Sequence, residues 1–398
     1  VRVDLSGYQR ICRKMTLIYV VKRHIINGIG SITVAKSISI VGRGTAGCLA
    51  YLKSLQMQKS YPDLKLRIDW YYSSETSPQS VGEGTTPSFP ETLVESGVII
   101  GNHQLDILDA RPKMGIEYQN WGGADYVHPF KLGTNGLHFN ASKFQDFIFT
   151  KHTNNTDVTL IDRHVSHADI DSDVIFDCTG KPASLEDYDI PEYIPVNAVH
   201  IQQCSWNSGP KYLYTKTIAR PWGWVFVIPL TTRCSVGYLY NKDIVSLEAV
   251  KQDIQEVIHD LDVTATSNTN SFHFDNYVRK RLYEDRVIYA GNSGFFLEPM
   301  EATTLDGVNR VVSAVEHKLH NDGCNGDYNA HAKEFFREAE RFIMLHYAAG
   351  SKWKNQFWDF AQERGRRALE SEYLPVQNYS SFFPQISWTS NRTGLGLT

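Results

Sequence analysis

Hydrophobic and polar positions alternate most clearly where the chain reaches Ser37-Ile38-Ser39-Ile40-Val41, a short β-branched run with a strand's period of two. It enters a glycine turn, Gly42-Arg43-Gly44-Thr45-Ala46-Gly47, and a helical pattern follows through Cys48, Leu49, Leu52 and Leu55. Residues 64–72 predict a second strand, with Leu64, Leu66, Ile68 and Trp70 alternating with more polar neighbours. Residues 81–87, Val-Gly-Glu-Gly-Thr-Thr-Pro, are too rich in glycine for the interior of an element and lead into a helix from Ser88. A strand-like alternation begins at Ile116 and Tyr118, and residues 137–152 read as a strand passing to a helix that Asn140 or Ser142 would cap. Strands are also expected over 158–162 and 174–176. The second of these ends in Asp177-Cys178-Thr179-Gly180, a small-residue cluster of the kind that faces ligand at the carboxyl end of an open α/β sheet.

From about residue 185 to 280 the pattern changes to broken β-rich runs. Segments 212–218, 224–229 and 234–240 predict an antiparallel sheet, with Trp224, Phe226 and Ile228 on one face. Residues 287–290 return as a strand into Gly291-Asn292-Ser293-Gly294. Beyond Glu301 a helix shows Val308, Val311, Val312, Val315 and Leu319 on one apolar face. Residues 328–347 and 353–369 predict two further helices. The organisation expected is an N-terminal extension (1–36) with a hairpin across Asn27-Gly28, principal nucleotide-binding segments (37–184) and a β-rich substrate-binding region (185–286). A returning nucleotide-binding and catalytic segment (287–325) and a C-terminal helical region (326–398) complete it.

Composition narrows the function classes. A chain of 398 residues with 42% hydrophobic and 21% charged positions is that of a globular protein with a large core. A net charge of −4 provides no basic field, so nucleic acid is not an expected partner. The six cysteines show no CxxC spacing, which predicts reduced thiols and no metal site. No apolar run reaches about 18 residues, so no membrane span is expected and the location expected is cytoplasmic. P-loop, zincin and serine-hydrolase spacings are absent.

The candidate chemistry begins at Gly42-x-Gly44-x-x-Gly47. In its strand–turn–helix setting Gly42 would allow the turn, Gly44 would admit a pyrophosphate, and Gly47 would let the helix pack closely. The diphosphate would rest on the free amides at Thr45 and Ala46; the competing reading is a purely structural turn. Asp69 and Glu75 are the carboxylates available for a ribose. Lys113 follows Pro112 and reads by itself as a surface lysine with a partly buried stem. The helix after Glu301 offers a second anion site at its N-terminus.

Several separated segments together resemble one family, the flavin-dependent halogenases best known from tryptophan halogenation. Residues 42–47 resemble its FAD fingerprint, 81–87 its "GEATxP" flavin loop with Gly82 and Glu83, and 177–180 its second FAD contact with Asp177. Residues 291–301 resemble the segment beside the isoalloxazine, with Gly291 and Asn292, and 223–229 resemble the "GWxWxIP" signature. Leu345-His346-Tyr347 with Phe357-Trp358 resembles its C-terminal helical motif. The resemblance implies a glutathione-reductase-like FAD-binding α/β fold with an additional β-rich and helical substrate-binding region. It also implies halogenation of an electron-rich aromatic small molecule through hypohalous acid made from reduced FAD, oxygen and halide. Lys113 and Glu301 fall on the family's catalytic positions, Thr303 and Thr304 on its halide site, and Trp224 and Phe226 on the partition between flavin and substrate. With no second fingerprint for NAD(P)H, reduced FAD would come from a separate flavin reductase; a homo-oligomer is compatible with this reading.

The sequence departs from the family at particular places. Phe226 stands for a tryptophan, Ala302 for a serine, Thr304 for a glycine and Asn292 for an aspartate, while Tyr72 occupies the ribose acid's position. A flavin-dependent hydroxylase and a non-catalytic flavin-binding protein are the alternative readings.

Overall fold

The computed structural model describes residues 36–76, 82–98, 101–152, 154, 158–319, 325–371 and 382–397. The expected N-terminal hairpin lies outside them. Ile38 and Ile40 are fully buried in strand Ser37–Val41, which lies inside a six-stranded sheet. Its order is Tyr283–Glu284, Val287–Tyr289, Val174–Asp177, Ser37–Val41, Arg67–Tyr72, Val158–Asp162. All pairings are parallel except the first, between Tyr283–Glu284 and Val287–Tyr289. A buried parallel sheet of this kind presents its loops at the carboxyl ends of the strands. Backbone bonds from Gly42 N to Tyr71 O, Cys178 N to Val41 O and Ala290 N to Asp177 O, each 2.8–2.9 Å, draw three such loops to one edge.

The predicted strand over 64–72 is shorter, Arg67–Tyr72. Pro62 opens a 3-10 turn, and Lys65 takes a left-handed conformation (φ 45°) that breaks the extended run. Asn140 caps the helix Ala141–Asp146 by accepting the amide of Lys143, one of the two caps expected. A three-stranded sheet that the sequence reading did not foresee joins Gly82–Gly84, Gly136–Asn140 and Arg111–Lys113 in that order. It sets the glycine-rich loop and the lysine strand on either side of His138, which pairs with Gly84 on one side and Arg111 on the other.

The β-rich region is a seven-stranded sheet. Its order is Val263–His273, Ala198–Trp206, Arg233–Tyr240, Gly223–Pro229, Thr215–Arg220, Gly115–Gln119, Tyr126–Pro129. The antiparallel core follows the predicted runs, while Ala198–Trp206 and the exposed Val263–His273 are additions. The latter is an exposed edge strand rich in Thr, Ser and Asn, residues that hide the hydrophobic alternation. Helix Leu247–Asp260, capped by Ser246, packs on this sheet with Val250, Ile254 and Val257 buried.

Helices Asn325–Ala349 and Gln356–Glu370 pack on each other and on the sheet's end, where Trp358 Nε1 donates to Arg220 O at 2.8 Å. A last helix, Gln385–Gly394, lies against Tyr126–Pro129. Its polar, weakly patterned sequence gave no reason to expect it. The four described cysteines, 48, 178, 204 and 234, are free thiols.

Candidate active site

Gly42 takes φ 107°, and a Cβ there would sit 2.3 Å from Cys178 O; a Cβ on Gly47 would sit 2.1 Å from Gly42 O. Both glycines therefore serve the tight approach of turn, helix and neighbouring strand. Gly44, at the N-cap of helix Thr45–Ser60, has nothing within 4 Å of its would-be Cβ. An open face beside the unpaired first amides of a helix is the cradle a diphosphate needs. Gly291 (φ 69°) closes the same region from the third loop, where a Cβ would meet Ala46 Cβ at 2.6 Å. The neighbouring Asn292 carbonyl accepts from Tyr277 Oη at 2.8 Å.

Other expected cofactor residues have local partners. Asp177 accepts from Thr179 N and Oγ1 at 3.0 and 2.7 Å and lies 3.0 Å from His167 Nε2. Burial works to raise its carboxyl, and these partners hold it below the ordinary value. Burial pushes Glu83 up to about 7. Tyr72, at the ribose-acid position, packs edge-on to Phe149, and the Arg43 guanidinium lies 5.8 and 5.6 Å from the two ring centroids. Asp69 pairs with Arg67 at 3.2 Å, and Glu75 is exposed.

Trp224 and Phe226 lie side by side in Gly223–Pro229, ring centroids 6.3 Å apart. Phe226 lies over Gly237, where any Cβ would fall 2.0 Å from its ring, so a bulky residue at 226 is matched by the glycine opposite. The Trp224 indole donates to Tyr347 Oη at 2.9 Å and to Glu298 Oε2 at 3.3 Å, while Tyr347 donates to the same carboxyl oxygen at 2.8 Å. Glu298 Oε1 is buried without a partner. Burial pushes the Glu298 carboxyl up to about 8 against the pull of these two donors.

Lys113 and Glu301 are brought into one buried region, 1% and 8% exposed. No ion pair joins them, and the Lys113 ammonium has no hydrogen-bond or ion-pair partner among the described residues. Its Nζ lies 5.5 Å from the Phe130 ring centroid. The space in front of Gly84 is shared by Lys113 Nζ, His138 and the Thr215 hydroxyl, each within 3.5 Å of the position a Cβ would take. Burial draws Lys113 down to about 8, opposed by the charge of Glu301.

Glu301 is clamped from four other places in the sequence. Tyr118 Oη donates to Oε1, Asn391 Nδ2 donates to Oε1 at 2.8 Å, His346 Nε2 lies 3.2 Å from Oε1 and His128 Nδ1 3.5 Å from Oε2. Burial acts to raise the carboxyl, but the neighbouring histidines outweigh it and hold Glu301 well below the usual carboxylate range. Backbone geometry aims the side chain: Glu301 and Ala302 both take left-handed φ, 61° and 57°. Such conformations cost roughly 1–3 kcal/mol each for residues with a Cβ and persist only where their surroundings hold them. Thr303 and Thr304 then open helix Thr303–Ser313. Their hydroxyls turn back to Met300 O (3.4 Å) and Leu297 O (3.2 Å). A Cβ at 304 fits this helical position.

The clamp residues were not singled out in the sequence. A signal for two of them was present, because strand period places Tyr118 on one face and, across the hairpin, His128 on the same face beside Tyr126. His346 and Tyr347 were noted only as a motif. Among the described residues no cluster of three or more metal-ligating side chains occurs, and no helix is long and apolar enough to cross a membrane.

Comparison with known proteins bears on this arrangement. The sequence profile of the family described as tryptophan halogenase matches residues 37–187 and 157–397. A tryptophan 6-halogenase of Streptomyces toxytricini is 25% identical over 223 residues, which cover 50% of this chain and 40% of that enzyme. A tryptophan 7-halogenase of Lentzea aerocolonigenes is 24% identical over 149 residues, 36% of this chain and 28% of its own length. The matched stretches thus span less than half of these relatives. Similarity of fold extends further. A flavin-dependent halogenase from Brevundimonas sp. BAL3 superposes with a TM-score of 0.76 at 20% identity, covering 92% of this chain and 91% of its own. A tryptophan halogenase from Shewanella frigidimarina NCIMB 400 gives 0.78 at 21%, covering 92% and 89%. With the profile matched along nearly all of residues 37–397, this chain belongs to the tryptophan halogenase family.

Proposed function

We propose that this chain is an FAD-dependent halogenase acting on an electron-rich aromatic small molecule, with halide and oxygen as co-substrates and reduced FAD delivered by a separate flavin reductase. The carrying observation is a buried lysine that forms no ion pair among the described residues, in one buried region with a carboxylate held ionised by its neighbours. The cofactor domain is read as glutathione-reductase-like. FAD fits its cradle: the open face of Gly44 and the amides of Thr45 and Ala46 would take the diphosphate, with Gly82, Glu83, Gly291 and Asn292 on the adjoining loops. When bound, FAD supplies the oxygen activation that converts halide into hypohalous acid.

The protein's own residues govern where that oxidant goes. The amides of Thr303 and Thr304 would hold halide at the positive end of their helix. Trp224 and Phe226 would keep substrate from the flavin. Lys113, drawn down to about 8, is mostly protonated at pH 7, yet about a tenth of it is neutral, against well under a thousandth for an ordinary lysine. The protonated form donates to the oxidant's oxygen as halogen leaves it, and the neutral form is a nucleophile towards halogen. Glu301 stabilises the positive charge that develops on the attacked ring and takes the ring proton. Its lowered carboxyl makes it a weak base, which suffices because a halogenated, cationic ring carbon is a strong acid.

The experiment is a product screen with enzymatically reduced FAD, oxygen and chloride, bromide or iodide against phenols and indoles, read by mass spectrometry. Halogenated product that requires halide is expected. Oxygenated product formed without halide, or flavin binding with no product in any combination, would contradict the proposal.

A further inference from the structure

Helix Gln385–Gly394 carries two polar residues one turn apart, Ser387 and Asn391, 9% and 0% exposed, on the face it turns inward. Each is connected to a different oxygen of Glu301. Asn391 Nδ2 donates to Oε1 at 2.8 Å, and its Oδ1 accepts from Tyr126 Oη at 3.0 Å, which fixes the orientation of the amide. Ser387 Oγ lies 3.1 Å from His128 Nε2, and the opposite ring nitrogen, Nδ1, lies 3.5 Å from Oε2. If the serine hydroxyl donates, the tautomer that results carries its proton on Nδ1, facing the carboxylate.

The helix is held in register for this. Gly394 lies against the Tyr126 ring, where a Cβ would fall 2.3 Å from it, and Trp388 packs edge-on to Phe342 at 4.7 Å. Phe342 is one turn from His346, the remaining imidazole at Glu301, and its carbonyl accepts from His346 Nδ1 at 3.1 Å. The titratable groups facing Glu301 are therefore Lys113, Tyr118, Tyr126, His128 and His346. All of these except His346 come from the 111–129 stretch; the 385–394 helix adds neutral donors alone.

We propose that Asn391 and Ser387 are positioning residues for Glu301: helix Gln385–Gly394, by docking, orients its carboxylate. This rests on the role given to Glu301 above. It makes the reactive carboxylate conditional on helix Gln385–Gly394, which contributes a direct donor to Oε1 and, through Ser387, holds the His128 ring beside Oε2. Asn391 acts through Glu301 and needs no contact with substrate.

The test separates the two claims by reading Glu301 without flavin. Glutamate labelled with ¹³C at the side-chain carboxyl is titrated by NMR in flavin-free protein, with the Glu301 signal assigned by its loss in Glu301→Gln. In wild type Glu301 should stay ionised down to the acid limit of the folded protein. Asn391→Leu removes the direct donor and should raise the midpoint by about one pH unit or more. Asn391→Asp, isosteric but facing the carboxylate with a second acid, should raise it further. Ser387→Ala should give a smaller shift in the same direction, and Ser387→Thr should restore wild-type titration. Unchanged titration in Asn391→Leu and Ser387→Ala would overturn the inference; should Asn391→Leu fail to fold, an unshifted Ser387→Ala overturns it alone. In the flavin-loaded enzyme the acid limb of kcat should move up with the NMR midpoint while KM for halide stays fixed. A wild type that makes no halogenated product defeats the proposed function and leaves the titration result standing.

Discussion

Glu298 and Glu301 stand three residues apart in one loop, and both are buried, yet their surroundings favour opposite protonation states. Around Glu298 the donors are neutral, an indole and a phenol directed at one oxygen, and the second oxygen has no partner. Burial therefore prevails, pushing the carboxyl up to about 8 and favouring its neutral form at pH 7. Around Glu301 a phenol and an amide donate to one oxygen, imidazoles lie 3.2 and 3.5 Å from its two oxygens, Lys113 is nearby, and the group stays charged. Desolvation is common to both sites; what differs is whether positive charge came with it. Helix Asn325–Ala349 serves both with successive residues, His346 at Glu301 and Tyr347 at Glu298. One site is suited to proton acceptance and charge stabilisation, the other to fixing the Trp224 indole.

Replacing each acid by its amide separates the two most strongly. Glu301→Gln removes the charge and the proton acceptor, and halogenated product per flavin-loaded enzyme should fall by about 10²–10⁴-fold. Glu298→Gln resembles the neutral acid already present, and its rate should stay within about threefold of wild type. Equal losses in single-turnover assays would erase the functional side of the comparison.

Stability should respond with opposite signs, and pH sets the window. Between its ordinary value of 4.5 and about 8, folded Glu298 keeps a proton that the unfolded chain has released, so it lowers stability progressively as pH rises through that range. The gain in Tm of Glu298→Gln over wild type should therefore widen from pH 5 to pH 8 and then level off. Glu301 is lowered, so its contribution is present above 4.5 and is lost as pH falls through its folded value. Glu301→Gln should accordingly be less stable than wild type at pH 7, with the deficit shrinking in acid. Calorimetry from the acid limit of the folded protein up to pH 9 checks both signs, and parallel curves for the two variants would contradict the account.

The phenols give the smallest contrast. Tyr118→Phe leaves Glu301 with one donor fewer and should lower product formation about tenfold, whereas Tyr347→Phe should cost about 1–2 kcal/mol in stability with a lesser effect on rate. Chemical denaturation and single-turnover yields measured together test that ordering.

Glycine turns, strand alternation and the apolar face of helix Thr303–Ser313 were legible because local chemistry dictates them, although the one helix expected through Leu319 breaks at Ala314 into a second, Val315–Leu319. Resemblance alone singled out Lys113, Glu301, Trp224 and Phe226, and the structure brings the first two into one buried region. The environment of Glu301 was not legible for a physical reason: the groups around its carboxylate come from residues 118, 128, 346 and 391, and only tertiary packing joins them. Strand Val263–His273 was hidden by its Thr, Ser and Asn content, and helix Gln385–Gly394 by a sequence in which Ser387 and Asn391 occupy the inward face. Polar residues at buried positions defeat a reading based on hydrophobic periodicity, and here they coincide with the proposed chemistry.

The central claim is that Lys113 directs halogenation. Single-turnover delivery of reduced FAD to wild type and Lys113→Ala, with equal flavin occupancy and a scavenger for hypohalous acid in solution, tests it most directly. Flavin oxidation should proceed in both, and halogenated product should form in wild type while falling to the scavenged background in Lys113→Ala. Wild-type yield from Lys113→Ala with the scavenger present would contradict the account.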